Sequence, residues 1–386
     1  MIRPEAGRPA AAPAGSVRPE AVRPAAAPAG SVRVAAIDCG TNSLRLLIAD
    51  IDPARSELAD VDRRMEIVRL GQGVDATGML APDALARTFR VLADFARAIT
   101  DTGASAVRMV ATSATRDASN ADEFVGGVTD ILGIAPEVVS GDEEATLSFI
   151  GATAELGQAS PPGLSQASPP GLSQASPPGL SQASPPGGGS GGGDGPEDGP
   201  RPPYLVVDIG GGSTEFVLGG SSEPAASPRL AAVSMDIGCV RLTERHLHGD
   251  PPSAAQVEAA TADIDAALSE AAAAVPVGRA RTLVGLAGSV TTVTGIALRL
   301  PAYDAARIHH ARITAASVHQ VTLGLLSQTR QQRAAIGVMH PGRVDVIGAG
   351  ALVLDRIMQR FGFANVMASE HDILDGIAWS LVPGNR

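Results

Sequence analysis

Two short segments of the 386-residue chain concentrate groups suited to holding an anion. In the first, Asp38-Cys-Gly-Thr-Asn-Ser43, an aspartate closes an apolar run and is followed by Gly40, Thr41, Asn42 and Ser43. A carboxylate at the end of a buried strand is costly unless a metal or several donors satisfy it. Gly40 permits a tight turn and lets backbone N–H groups approach an anion, while the three polar side chains add donors. The second segment, Asp208-Ile-Gly-Gly-Gly-Ser-Thr-Glu215, repeats the design with Gly210, Gly211, Gly212, Ser213 and Thr214. Either loop alone reads equally well as an ordinary hairpin turn. The pair, with Asp, Gly and Ser in matching positions, reads as a two-sided phosphate clamp.

Two further segments supply chemistry between the loops. Ser140-Gly-Asp-Glu-Glu-Ala145 places Asp142, Glu143 and Glu144 at a strand-to-helix junction. A carboxylate beside a phosphate cleft can orient and deprotonate water, whereas one or two of these acids serve equally well at the positive end of the following helix. Ala111-Thr-Ser-Ala-Thr-Arg116 sets an arginine and three hydroxyls just after a strand. Arginine offers bidentate, permanently charged contacts to phosphate, and beside two clamps Arg116 is a candidate for that role. Arg241 and Arg343 are weaker candidates. The pair His309-His310 has no ligand-spaced partner and reads as solvated surface. The chain contains no lysine, so its 30 basic residues are all arginine. A P-loop lysine and a Schiff base are thereby excluded.

The elements that must position these groups repeat. A strand over Val32–Ile37 runs into Asp38, and Leu44–Ile51 follows as a second strand; Tyr204–Val207 runs into Asp208, and Thr214–Leu218 follows as its hairpin partner. Further strands are expected at Arg64–Arg69, Ala106–Ala111, Ala135–Val139, Ala232–Asp236, Thr282–Leu286 and Ala364–Ala368. Helical spacing of apolar residues predicts helices over Pro82–Thr100, Asn120–Leu132, Glu143–Ala154, Ala254–Ala274, Thr314–Gln328, Val344–Phe361 and Asp372–Leu381. Another helix follows Ser289 to about Leu298. The two halves therefore open alike, which implies an α/β protein of two related lobes facing a common cleft.

Two low-complexity blocks punctuate this pattern. Residues 3–17 recur almost unchanged at 18–32, and the octapeptide QASPPGLS occurs at 158–165, 166–173 and 174–181 before a Gly/Pro/Asp run to Pro203. Neither can build a core, so residues 1–32 read as a disordered Pro/Ala-rich tail and 156–202 as a disordered insert. The expected domains are then 33–155 plus about 372–384, and 203–371.

Composition narrows the function classes. A formal net charge of −11 with 3% aromatic residues disfavours a nucleic-acid binder. Cys39 and Cys239 match no zinc or redox spacing and read as free, buried thiols in a reducing cytoplasm. No signal peptide is expected, and Leu283–Leu298 is too short and interrupted for a membrane span.

With these motifs the sequence resembles the exopolyphosphatase / guanosine pentaphosphate phosphohydrolase (Ppx/GppA) family. The carriers are AAIDCGTNSLRLLIADI, RMVATSATRDASNADEF, VVSGDEEATLSFIGA, LVVDIGGGSTEFVLG, GLAGSVTT, HPGRVDVIGAGALVLDRIM and ASEHDILDGIAW. The resemblance implies two ribonuclease H-like lobes of the actin, sugar-kinase and heat-shock ATPase superfamily. It makes Glu144 the residue that activates the attacking water and has Arg116 contact substrate. It implicates Asp208 and Glu215, with Asp38 opposite, in holding Mg2+ or alternatively Mn2+. It also adds Gly288 and Ser289 of GLAGSVTT to the phosphate-binding set and returns the last helix to the first lobe. The implied substrate is inorganic polyphosphate, with pppGpp as the alternative and a homodimer among the assemblies open to it. The missing C-terminal domains match the short actinobacterial type. An actin-like or sugar-kinase-like ATPase and a non-catalytic (p)ppGpp or polyphosphate sensor are the competing classes.

Overall fold

The computed structural model describes residues 27–156, 199–220 and 230–382. Most of the expected tail and insert lie outside these. The first half forms a five-stranded sheet from β1 (Val32–Cys39), β2 (Ser43–Asp52), β3 (Glu57–Ile67), β4 (Ala106–Ala111) and β5 (Glu137–Val138), in the order β3-β2-β1-β4-β5. β1 pairs antiparallel with β2 and parallel with β4. The second half repeats this with β6 (Tyr204–Ile209), β7 (Thr214–Gly219), β8 (Ala231–Met235), β9 (Thr282–Leu286), β10 (Arg312–Thr314) and β11 (Asn365–Ala368), in the order β10-β11-β9-β6-β7-β8. β6 pairs antiparallel with β7 and parallel with β9, so it occupies the place of β1. The strand β10 is an addition at the edge.

The central strands are apolar on both faces because helices cover both. Ala35 and Ile37 face Leu92, Phe95 and Phe124 from the helices Pro82–Thr102 and Ala121–Leu132. Val34 and Ala36 face Ile373, Ile377 and Trp379 of the final helix, Ile373–Ser380. That helix thus packs on the first sheet although it follows the last strand of the second. It crosses the helix Gly141–Thr153 at Gly151 and Gly376, where an added Cβ would enter the backbone of the neighbouring element.

Strand β3 departs from expectation. It spans Glu57–Ile67 rather than Arg64–Arg69, and most of it is exposed or half-buried. As an edge strand it carries charge on both faces, so no alternating apolar pattern marks it. Residues past Ile67 leave the sheet to serve the first loop: Val68 and Arg69 N–H donate to Asn42 O, and Gly71 N–H to Thr41 O at 2.9 Å.

Candidate active site between the lobes

The two Gly-rich segments fold into the same turn. Gly40 N–H donates to Ser43 O at 3.0 Å, and Gly210 N–H donates to Ser213 O at 3.0 Å. Each loop has its carbonyls tied from behind. Residues 68–71 hold the first, and the start of the helix Cys239–Arg245 holds the second through Cys239 N–H to Gly210 O and Val240 N–H to Gly211 O. Among the described residues, the N–H groups of Thr41, Asn42, Gly211 and Gly212 donate to no protein acceptor. Free donors turned into a cleft form a concave anion site.

The loops also touch. A Cβ on Gly212 would lie 2.5 Å from Ser113 Oγ and 2.7 Å from Thr41 Oγ1, and one on Gly211 would lie 2.9 Å from Thr41 Cβ. Here glycine is required by close approach. Thr41 Oγ1 and Ser113 Oγ share a hydrogen bond at 2.9 Å, which ties the first loop to the turn Ser113–Arg116.

One cavity collects most of the expected residues. Its walls include Gly40, Thr41, Asn42 and Ser43 from one side, Gly210, Gly211 and Ser213 from the other, and Asp38, Glu144, Asp208, Gly288 and Ser289. Glu215 pairs with Asp208 across β6 and β7. Gly212 and Thr214 sit behind the wall, and Thr214 Oγ1 donates to Ile237 O. Arg116 reaches the cavity only through Glu144.

Four carboxylates converge here, and their compensation is unequal. Asp38 receives Arg45 Nε and Nη2 on Oδ2 at 2.9 and 2.7 Å, while Arg45 Nη1 pairs with Asp372. Asp208 has no guanidinium partner among the described residues; Ser148 Oγ donates to its Oδ2 at 2.7 Å. Glu215 accepts from Ser234 Oγ at 2.7 Å. Glu144, 8% exposed, accepts from Arg116 Nη1 at 3.2 Å, and the same nitrogen donates to Val139 O at 3.1 Å. Burial, then the neighbouring Glu215, pushes Asp208 up to about 8. Burial and Glu215 also hold Glu144 well above the usual carboxylate range, against the pull of Arg116.

These oxygens suit a hard divalent cation. Asp208 and Asp38 each keep Oδ1 free of hydrogen-bond donors among the described residues, and Glu215 lies beside them. The donor set fits Mg2+ or Mn2+, which bind through one or two carboxylates and retain several waters. Among the described residues the one trio of ligand-type side chains with its donor atoms within 4.8 Å lies elsewhere, at Glu155, His309 and His371. There Glu370 N–H donates to His309 Nδ1 at 3.2 Å, so the neutral ring carries its proton on Nε2, facing Glu155 Oε2 at 3.3 Å. That arrangement is a hydrogen bond rather than a cation seat. It also corrects the reading of His309-His310 as solvated surface: both are half-buried, with ring centroids 3.7 Å apart.

The two weaker arginine candidates separate. Arg241 turns away from the cavity into carboxylates and a carbonyl. Arg343 lines the cavity with its guanidinium stacked over Gly288, and it has no ion-pair partner among the described residues. An uncompensated guanidinium beside free backbone donors is the site's most available positive charge. Its sequence signal was only its place after His340-Pro341-Gly342, which says nothing about pairing.

The model of the Ppx/GppA phosphatase family matches residues 47–164 and 199–384. The chain belongs to the Ppx/GppA phosphatase family. Within it, the chain is 47% identical over 359 residues to Exopolyphosphatase 2 of Mycobacterium tuberculosis, a match covering 90% of this chain and 98% of that protein. A crystal structure of an exopolyphosphatase-like protein superposes with a TM-score of 0.76 at 40% identity, covering 90% of this chain and 97% of that one. The Aquifex aeolicus Ppx/GppA family member superposes with a TM-score of 0.65 at 25% identity, covering 90% and 96%. The doubled β3-β2-β1-β4-β5 topology is the two-lobed ribonuclease H-like fold of the Ppx/GppA proteins. Among the described residues no helix is long and apolar enough to cross a membrane.

Proposed function

We propose that this protein is an exopolyphosphatase that releases terminal orthophosphate from inorganic polyphosphate. The observation that carries the reading is the buried Glu144, held by Arg116 on the wall of the same cavity as both loops. Asp208 and Glu215, with Asp38 opposite, are the residues that would hold Mg2+ or Mn2+. When bound, the metal supplies charge neutralisation for the phosphoryl oxygens.

The chain's own groups do the rest. The N–H groups of Thr41, Asn42 and Gly211, with the Ser43 and Ser213 hydroxyls and the first turn of the helix Ala287–Ala297 at Gly288 and Ser289, bind the phosphoryl oxygens of the terminal unit. Arg343 adds positive charge at the mouth. Glu144 takes a proton from the water whose oxygen forms the new bond to the terminal phosphorus. The anhydride P–O bond breaks, and its electron pair leaves with the shortened chain. Burial raises the proton affinity of Glu144, which suits a base. Arg116 keeps its carboxylate aimed at the cleft.

A second reading, removal of the 5'-γ-phosphate of pppGpp, is favoured by a neighbouring cavity of ≈ 430 Å3. It shares Arg45, Gly288 and Arg343 with the first and is walled by Met65, Tyr303, Val338 and Leu374, surfaces suited to a nucleoside. Phosphate release from polyphosphate and from pppGpp at matched concentrations, with Mg2+ and with EDTA, separates the two. Polyphosphate is expected to be the better substrate, and EDTA is expected to abolish turnover. Release from neither substrate in Mg2+ would leave a binding protein rather than a hydrolase.

A further inference from the structure

The helix Cys239–Arg245 was not anticipated from sequence, yet it lies where the lobes meet. Its side chains make a seam with the first lobe. Glu244 accepts from Gly73 N–H at 3.2 Å, and Arg245 Nε and Nη2 grip Asp75 at 2.7 and 2.8 Å. Arg241 does more than join two surfaces. Its Nε donates to Gly212 O at 2.7 Å, its Nη1 to Asp75 Oδ1 at 2.8 Å, and its Nη2 to Asp117, with Asp236 at 3.7 Å.

We propose that Arg241 is a positioning residue that sets the spacing between the second phosphate loop and Glu144. The proposal rests on the hydrolase reading above. The path is short and made of direct contacts. Gly212 sits between Gly211 and Ser213, which line the cavity, and Arg241 holds its carbonyl from behind. Asp117 ends the turn Ser113–Arg116, where its N–H donates to Ser113 O at 2.9 Å. Arg116, its neighbour in sequence, holds Glu144. One guanidinium therefore joins the element that grips the phosphate to the element that aims the base. Its planar fork can satisfy a carbonyl and two carboxylates together, which a lysine ammonium on a flexible stem cannot do in the same geometry. The Arg241 side chain is 11% exposed, while its carboxylate partners Asp75 and Asp117 are 20% and 32% exposed.

The test uses the whole chain with Arg241→Lys, Asp117→Asn, their combination, and Arg245→Lys as the control. Arg245 shares Asp75 and the seam but touches neither Gly212 nor Asp117. Turnover of polyphosphate in Mg2+ is read with thermal melting. The inter-lobe distance is read from spin labels at Asp94→Cys and Glu270→Cys, since Cys39 and Cys239 are buried and out of reach of the label. Misplacing reacting groups by 1 Å can cost ~10²-fold. We expect Arg241→Lys to lower kcat at least tenfold with KM within threefold. The combined variant is expected to lose no more than the larger single loss, and the label distances to lengthen or broaden. Arg245→Lys is expected to keep kcat within twofold at a comparable melting temperature. Retention of kcat by Arg241→Lys, or an equal loss in Arg245→Lys, would overturn the proposal. A wild-type protein without turnover would instead defeat the hydrolase reading. The label distances would still decide whether Arg241 sets the spacing: unchanged distances in Arg241→Lys would reject it.

Discussion

Glu144→Gln separates catalysis from stability. The substitution keeps the shape of the side chain and removes its charge. In the fold that group is 8% exposed and lies near Glu215, Asp208 and Asp38, with Arg116 as the one close cation among the described residues. Burial raises its proton affinity, so ionised Glu144 opposes folding, and a neutral amide relieves that opposition. Arg116 Nη1 can still donate to the amide oxygen and to Val139 O. Loss of a general base costs ~10²–10⁴-fold in kcat, about 2.7–5.4 kcal/mol of transition-state stabilisation. The expected outcome is a kcat at least ~10²-fold lower, with a melting temperature in EDTA equal to or above that of the wild type. Stopped-time phosphate release under saturating polyphosphate measures the first, and differential scanning calorimetry the second. Turnover within a few-fold of wild type would refute the water-activation role. A lower melting temperature would refute the picture of Glu144 as a buried charge kept at a cost to the fold.

Three other substitutions probe other parts of the site. Arg343→Ala removes a guanidinium without breaking an ion pair among the described residues, so KM should rise ~10–100-fold, the worth of a charged hydrogen bond, with little change in melting temperature. Gly212→Ala drives a methyl to 2.5 Å from Ser113 Oγ and must push the loops apart; kcat/KM should fall ~10²-fold, and wild-type kinetics would show that the loops need not touch. Arg45→Met strips Asp38 and Asp372 of their shared cation while both stay buried, so urea unfolding should report a loss of about 3–5 kcal/mol.

How much of this was legible in the residues follows from the range over which each signal acts. Asp38 and Asp208 at the ends of apolar runs, with glycines following, disclosed both loops and the repeated lobe, because strand, carboxylate and turn are contiguous. Strand β3 was misplaced because an exposed edge of charged residues carries no periodic burial. The pairing of Arg45 with Asp372 joins positions 327 residues apart and has no local trace. The same holds for Arg241 and Arg343. As isolated arginines they read alike, and only the surrounding carboxylates show that one is committed and the other is not. The helix Cys239–Arg245, at 7 residues, is too short for its spacing to stand out.

The two loops share one turn but not one source of countercharge. In the first half Asp38 is balanced from within the chain, by an arginine on the adjacent strand that cannot diffuse away. In the second, Asp208 accepts from the Ser148 hydroxyl, lies beside Glu215, and feels Arg45 only through space. A duplicated scaffold has thereby become electrically one-sided. The first half therefore carries its countercharge in direct contact, and the second has none in contact among the described residues.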